Sequence, residues 1–314
     1  MKTWVRFFVA AAMALAMAMT NAFVVFAAPQ KTSKKVAAPP AVDCGHGVTV
    51  RLTSSAAAQG SLLLATIQSA TPLADLKAEW AEHELPLWPD AKRKDLERAL
   101  VGVDLGQDPG KYDLKLAAQL PDGGAFSCSV NIPVNAGKFA VEKLSVAKEF
   151  VEPSAEENAR AEKEGQHLHE IYSTVTPERL WAGKFRLPLD GARNAKNFGR
   201  RRVLNGQPRS PHSGVDLPAA AGTPIHAAQR GRVVLAEELF FGGNAVVLDH
   251  GLGVYTFYAH MQSIGVAVGD VVEKGALLGK VGATGRVTGP HLHWGLTIGQ
   301  ARVNAMQILA LPLD

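Results

Sequence analysis

Two histidines one residue apart, His291 and His293, sit inside the stretch GPHLHWG, and a second His-Leu-His is formed by His167 and His169. In a strand, residues i and i+2 point to the same face about 7 Å apart, so two imidazoles can serve one small site. In a helix the same two positions differ by about 200° around the axis and face nearly opposite ways. The backbone that carries each pair therefore decides which can hold a metal. His167 and His169 follow Pro153-Ser154 and Glu157, a capping-box start, in a polar stretch that predicts a helix to about Tyr172. They read as surface polar residues. His291 and His293 lie between Gly-Pro and Trp294-Gly295-Leu296-Thr297, which is strand vocabulary, and are the candidates.

A second cluster, PHSGVDL, adds His212 and Asp216. Zinc takes imidazole nitrogen and carboxylate oxygen, and catalytic zinc sites use three protein ligands with one position left open. His212, Asp216 and one of the His291/His293 pair would make such a set. His260 ends the alternating run VYTFYAH and reaches the same cleft if it shares a face with Tyr258. The other histidines, His46, His83, His226 and His250, read as structural or surface residues. Ser213 has no G-x-S-x-G elbow around it, and no G-x-x-x-x-G-K-[ST] loop is present, so neither a serine nucleophile nor a phosphate-binding loop is indicated. The glycines read as turn punctuation.

The elements that must position these residues are mainly strands. Residues 42–148 hold short alternating segments, among them VTVRL from Val48, SLLLATI from Ser61, KYDLKLAAQL from Lys111 and FSCSVNIPV from Phe126, divided by turn residues such as DPG and PDGG. That spacing predicts an Ig-like β-sandwich. Cys44 near its start and Cys128 near its end can pair in an oxidising compartment, tying the first strand to a late one. Closing a loop of that length would stabilise by about 4 kcal/mol in the chain-entropy account. Residues 149–184 predict a helical linker. From 185 to 314 the chain returns to Gly-punctuated runs such as GRVVLA and NAVVLDHG, which predict an antiparallel β-barrel or sheet. The fold class expected is thus mainly β, in two domains.

Lys2 and Arg6 precede the apolar run FFVAAAMALAMAM, the pattern of an export signal, with small-residue cleavage sites after Ala22 or Ala27. Residues 1–27 are assigned to it, and the Lys-, Ala- and Pro-rich residues 28–41 to a flexible spacer. Because apolar character resumes at Phe23, the alternative is an uncleaved N-terminal membrane anchor. The formal net charge of +4 falls to +2 once Lys2 and Arg6 leave with a leader, which is no nucleic-acid signature.

In order, HSGVD, YAH and TGRVTGPHLHW closely resemble the lysostaphin/LytM-type zinc metallopeptidases, a family that cleaves peptide cross-links of bacterial peptidoglycan. The flanking runs FGRRRVLNG, AGTPIHAAQRGRVV and VGDVVEKGALLGKVG extend the likeness from Phe185 to about Ile308. The resemblance implies zinc held by His212, Asp216 and His293, with His260 and His291 as the catalytic pair that handles protons. Which of the two is the general base stays open. It also implies a LytM-type antiparallel β domain, peptidoglycan stem peptides as substrate, and a periplasmic or other cell-envelope location, with secretion as a variant. The expected activity is a D,D-endopeptidase of cell-wall remodelling. The alternatives are a non-catalytic peptidoglycan-binding activator of other wall hydrolases, and a latent enzyme whose first domain or linker blocks the cleft. No regulatory partner is identifiable.

Overall fold

The computed structural model describes residues 39–192 and 195–314. The assigned signal peptide, residues 1–27, and most of the spacer lie outside them. Among the described residues no helix is long and apolar enough to cross a membrane.

The first half contains β1 (Val42–Asp43), β2 (Val48–Leu52), β3 (Ala57–Ala58), β4 (Leu62–Ser69), β5 (Ala74–Trp80), β6 (His83–Leu85), β7 (Leu87–Pro89), β8 (Leu96–Gly102), β9 (Gly110–Gln119) and β10 (Ala125–Asn135). They form two five-stranded sheets, ordered β1-β2-β4-β8-β7 and β3-β10-β9-β5-β6. Alternate residues of both sheets meet in one core, with Val50, Ile67 and Val101 from the first and Ala78, Leu114 and Ile132 from the second. The expected strands are present. β5 was hidden in the sequence by its charges: only Ala78 and Trp80 of ADLKAEW are buried, and the alternation becomes visible only against the partner strand. Cys44 and Cys128 are bonded across 84 residues, linking the segment after β1 to β10.

The connection continues through β11 (Val141–Leu144) and one helix, α1 (Ala155–Ser173). Ser154 caps α1: its hydroxyl accepts from the Glu157 amide while the Glu157 carboxylate accepts from the Ser154 amide, the reciprocal capping box. His167 and His169 lie on α1 and are both exposed, as the helical reading requires.

The second half holds β12 (Arg201–Leu204), β13 (Gln207–Pro208), β14 (Gly214–Pro218), β15 (Pro224–His226), β16 (Gly231–Leu239), β17 (Gly243–Asp249), β18 (Val254–Ile264), β19 (Val271–Val272), β20 (Leu277–Val281), β21 (His291–Ile298) and β22 (Ala301–Val303). The principal sheet runs β14-β21-β18-β17-β16-β19, with β20 and β15 branching from β18 and β22 flanking β21. The two end strands, β14 and β19, do not pair with each other. The barrel part of the sequence expectation therefore gives way to an open antiparallel sheet. β19, at only two residues, offers too short a ladder to close it, and register shifts in β16, β17 and β18 turn the sheet locally instead.

The halves are not insulated from each other. Leu62, Leu64, Trp88, Leu100 and Leu105 of the first half belong to the same core as Val215, Tyr258, Trp294 and Leu311 of the second. Asp104 receives two charge-assisted bonds from the Arg302 guanidinium across the seam, at 3.0 and 2.7 Å.

Candidate metal centre and cleft

β14 and β21 lie side by side at one end of the principal sheet, and their register sets Asp216 opposite His293. Val215, Leu217, Leu292 and Trp294 all point into the main core. By alternation, Gly214, Asp216, His291 and His293 occupy the other face. The i, i+2 spacing of the two histidines thus does what a strand demands. His212, two residues before β14, is almost wholly buried and closes the group. Nε2 of His212, Oδ1 of Asp216 and Nδ1 of His293 lie within 2.8 to 3.0 Å of one another.

The surrounding bonds orient each ring. His212 donates from Nδ1 to the Asn197 carbonyl at 2.9 Å, which leaves the Nε2 lone pair directed at the group. Asn197 also bonds both backbone polar groups of Asp216, at 3.0 and 3.1 Å. The second oxygen of Asp216 accepts from the Arg202 guanidinium at 2.8 Å. Burial by itself would raise the Asp216 carboxyl, but hydrogen bonds with His212 and His293 hold it far below the usual carboxylate range, so it is ionised at any working pH. Three lone-pair donors so close, one of them a carboxylate, could hold a metal ion and match the three-ligand set that a catalytic zinc site uses. The carboxylate and the oriented imidazoles fit that ion. Asn197 and Arg202 hold the ligands in place, the part of a metal site that tunes affinity. Neither carried a signal in the sequence, because their partners lie at other points of the fold.

His260 arrives by a route that alternation does not give. Tyr258 and Met261 both point into the main core, whereas Ala259 packs in the smaller cluster on the opposite face. β18 carries one extra residue against β17 here, since Val246 faces Tyr258 and Asn244 faces Met261. His260 takes up the difference with φ +62°, the left-handed region that a non-glycine residue seldom enters. The sequence reached the cleft with His260 on the condition that it share the Tyr258 face; the bulge puts the ring on the opposite face instead, and that is where the cleft lies. It is the bulge that brings the His260 ring to 4.9 Å from His291 and 5.9 Å from His293, centre to centre. His260 donates from Nδ1 to the Thr284 carbonyl at 2.9 Å, and His291 donates from Nδ1 to the Gly289 carbonyl at 2.8 Å. Both present Nε2 to the cleft, and that of His291 lies 3.6 Å from Asp216 Oδ1. Burial first, and then the neighbouring His293 and His291, push His260 down to about 3, so this ring is neutral.

Two adjoining cavities of about 350 and 280 Å³ open onto these groups, and both touch Arg202, His260 and Arg286. Segments connecting the two halves border each. Glu142, Leu144 and Val146 line the first, and Ala161, Glu164, Gly165 and Leu168 of α1 line the second. A larger cavity, about 490 Å³, lies between the halves and contains none of the five site residues. His250 is wholly buried, with Nδ1 bonded to the Arg230 carbonyl and Nε2 to the Thr256 hydroxyl, each at 2.7 Å. It is the structural histidine the sequence suggested.

Residues 210–305 match the signature of peptidase family M23, and that segment contains all five site residues. Residues 210–305 therefore carry an M23 peptidase domain. Over 124 residues the chain is 40% identical to the peptidoglycan DD-endopeptidase ShyA of Vibrio cholerae, covering 39% of this chain and 29% of that one. Over 101 residues it is 42% identical to the DD-carboxypeptidase/endopeptidase Mpg of Neisseria meningitidis, covering 32% and 23%. The chain thus spans less than a third of the length of these relatives. A crystal structure of a Pseudomonas aeruginosa protein described as an M23 peptidase superposes with a TM-score of 0.60 at 28% identity, over 81% of this chain and 96% of that one.

Proposed function

We propose that the protein is an exported zinc endopeptidase that hydrolyses peptide cross-links of bacterial peptidoglycan, of the D,D type, in cell-wall remodelling. The observation that carries this reading is the convergence of His212, Asp216, His293, His260 and His291 on one cleft within an M23 domain. The complete set supports an enzyme over a non-catalytic activator. The names of the V. cholerae and N. meningitidis relatives support the bond class. The N-terminal charge and apolar pattern supports export, and the Cys44–Cys128 bond supports an oxidising periplasm or cell envelope. The strand orders of the first half, with β3 running parallel to β10, support an Ig-like sandwich over residues 42–148.

His212, Asp216 and His293 would hold zinc, which when bound supplies a Lewis acid for the scissile carbonyl and makes a water a better nucleophile at neutral pH. His291 has its Nδ1 proton fixed and Nε2 free in the cleft, so it accepts a proton from the attacking water and returns one to the leaving amine. His260, held neutral by burial, is a poor proton carrier and a good acceptor of one hydrogen bond. It orients the water.

The test is to incubate the mature chain with peptidoglycan sacculi and resolve the muropeptides by mass spectrometry. Cross-linked dimers should decline as monomers rise, a chelator should stop this, and zinc should restore it. A zinc-loaded protein that leaves every sacculus preparation intact would reject the reading in favour of the activator.

One observation favours a latent form of the same enzyme: β11 borders one of the two cavities and α1 the other. Glu142 of β11 pairs with the Arg200 guanidinium, and Glu164 of α1 accepts from the Phe240 amide at 2.8 Å. Because the halves share a core, cutting the chain near Thr176 would expose apolar surface, so a substitution on α1 is the cleaner probe. Leu168 packs α1 against Leu235, Val247 and their neighbours. Leu168→Ala should weaken that docking by about 1.4 kcal/mol and raise sacculus hydrolysis about tenfold if the helix limits access. Equal rates would remove the idea.

A further inference from the structure

Arg202 and Arg286 line the cleft and Arg209 lies near Arg286, and two of the three are engaged. Arg202 bonds Asp216 and lies 3.6 Å from Glu142. Arg209 donates to the Val151 carbonyl and to Gln207. Arg286 differs. Its guanidinium lies over the Phe241 ring, 4.2 Å from the centroid, and among the described residues no carboxylate or carbonyl accepts from it. It borders both cavities beside His260, half-buried. Burial, with Arg202 and Arg209 nearby, lowers it to about 10, which leaves it charged at neutral pH.

A half-buried cation without an anion is costly, and an aromatic face offsets only part of that cost. The position is nonetheless fixed. The Arg286 amide donates to the Phe241 carbonyl at 3.0 Å. Gly285, at φ +71°, lies so close to the opposing turn that a Cβ would stand 2.3 Å from the Gly243 amide nitrogen. The loop is packed backbone to backbone, so the guanidinium is held ready rather than free to fold away. A guanidinium presents two parallel donors, the match for a carboxylate.

We propose that Arg286 is a specificity-determining residue: it forms a carboxylate subsite beside the His260–His291 pair, and the cleft selects cross-linked stem peptides that carry a free carboxylate next to the scissile bond. This rests on the endopeptidase reading above and deepens it by naming the substrate class, anionic cross-links in preference to neutral ones.

The experiment compares two synthetic cross-linked peptide dimers that differ only in one group, a free carboxylate on the diamino acid or the corresponding carboxamide. The full-length zinc-loaded protein is used, with hydrolysis followed by chromatography and binding by calorimetry. The native protein should favour the acid over the amide about 10- to 100-fold in kcat/KM and in Kd, as a charge-assisted bidentate contact gives. In Arg286→Gln, at equal zinc content, that ratio should fall to near one, and Arg286→Lys should retain part of it. A native protein that treats the two dimers alike overturns the proposal, as does a ratio that persists in Arg286→Gln, which would assign the carboxylate to the zinc. If neither dimer is cleaved, the endopeptidase reading fails, while the binding ratio still decides the subsite.

Discussion

Replacing His293 with alanine should empty the centre, whereas replacing His291 should leave it filled and idle. The two side chains share a strand face and differ in what their nitrogens meet. Nδ1 of His293 is 2.8 Å from Asp216 Oδ1 and 3.0 Å from His212 Nε2, inside the donor triangle. His291 stands further off, with Nε2 at 3.6 Å from Asp216. Removing His293 deletes one of three ligands and leaves two, too few for a catalytic zinc site. After dialysis, His293→Ala should retain almost no zinc by elemental analysis and should not hydrolyse sacculi. His291→Ala should bind about one zinc per chain with near-native affinity, yet lose about 10²- to 10⁴-fold in kcat, the range that a positioned proton carrier contributes. Full zinc content and full turnover in His293→Ala would refute the ligand set. Native turnover in His291→Ala would transfer the proton to His260, against the burial that holds that ring neutral.

Much of this centre was legible before any coordinates, and the residues that were not share a physical reason. Whether His291 and His293 face one way is a local question, answered by strand period. That His167 and His169 do not was equally local, because Ser154 and Glu157 announce the helix that separates them. Asp216 opposite His293 is a matter of register between segments 77 residues apart, which no local pattern fixes. His260 was legible as a cleft residue but not by the route it takes. The alternation of VYTFYAH is real as far as Ala259, and one extra residue then sends the ring to the other face. Asn197, Arg202 and Arg286 carry no local pattern of their own, and only the packing of their segments shows what the side chains attend. The same holds for the open sheet: its mainly antiparallel strand character follows from the sequence, while closure depends on how two end strands meet.

Gly214 makes the point with the sharpest consequence. Within HSGVD it reads as one more glycine among many, yet it lies inside β14, not at a turn. A Cβ at this position would stand 2.6 Å from His293 Nε2, 2.7 Å from its Cε1 and 2.8 Å from the Trp294 carbonyl. All three distances are below ordinary contact. The carbonyl belongs to the β14–β21 pair, where Gly214 faces Gly295, and cannot retreat without loss of the ladder. The imidazole must give way instead, although its Nδ1, the proposed zinc-binding atom, is held against Asp216. Gly214→Ala should therefore act as an orienting mutation with no polar atom removed. Zinc affinity should fall about 10- to 100-fold, as when a ligand-orienting partner is lost, and overpacking should cost about 1–3 kcal/mol of stability. Metal competition against a chromogenic chelator measures the first, and thermal unfolding of the zinc-free protein the second. Because the strand stays in register, far-ultraviolet circular dichroism should be unchanged. Native zinc affinity in this variant would mean that the ring has room to move and that β14 does not hold His293 in its place, leaving the centre to the supports that Asn197 and Arg202 give His212 and Asp216.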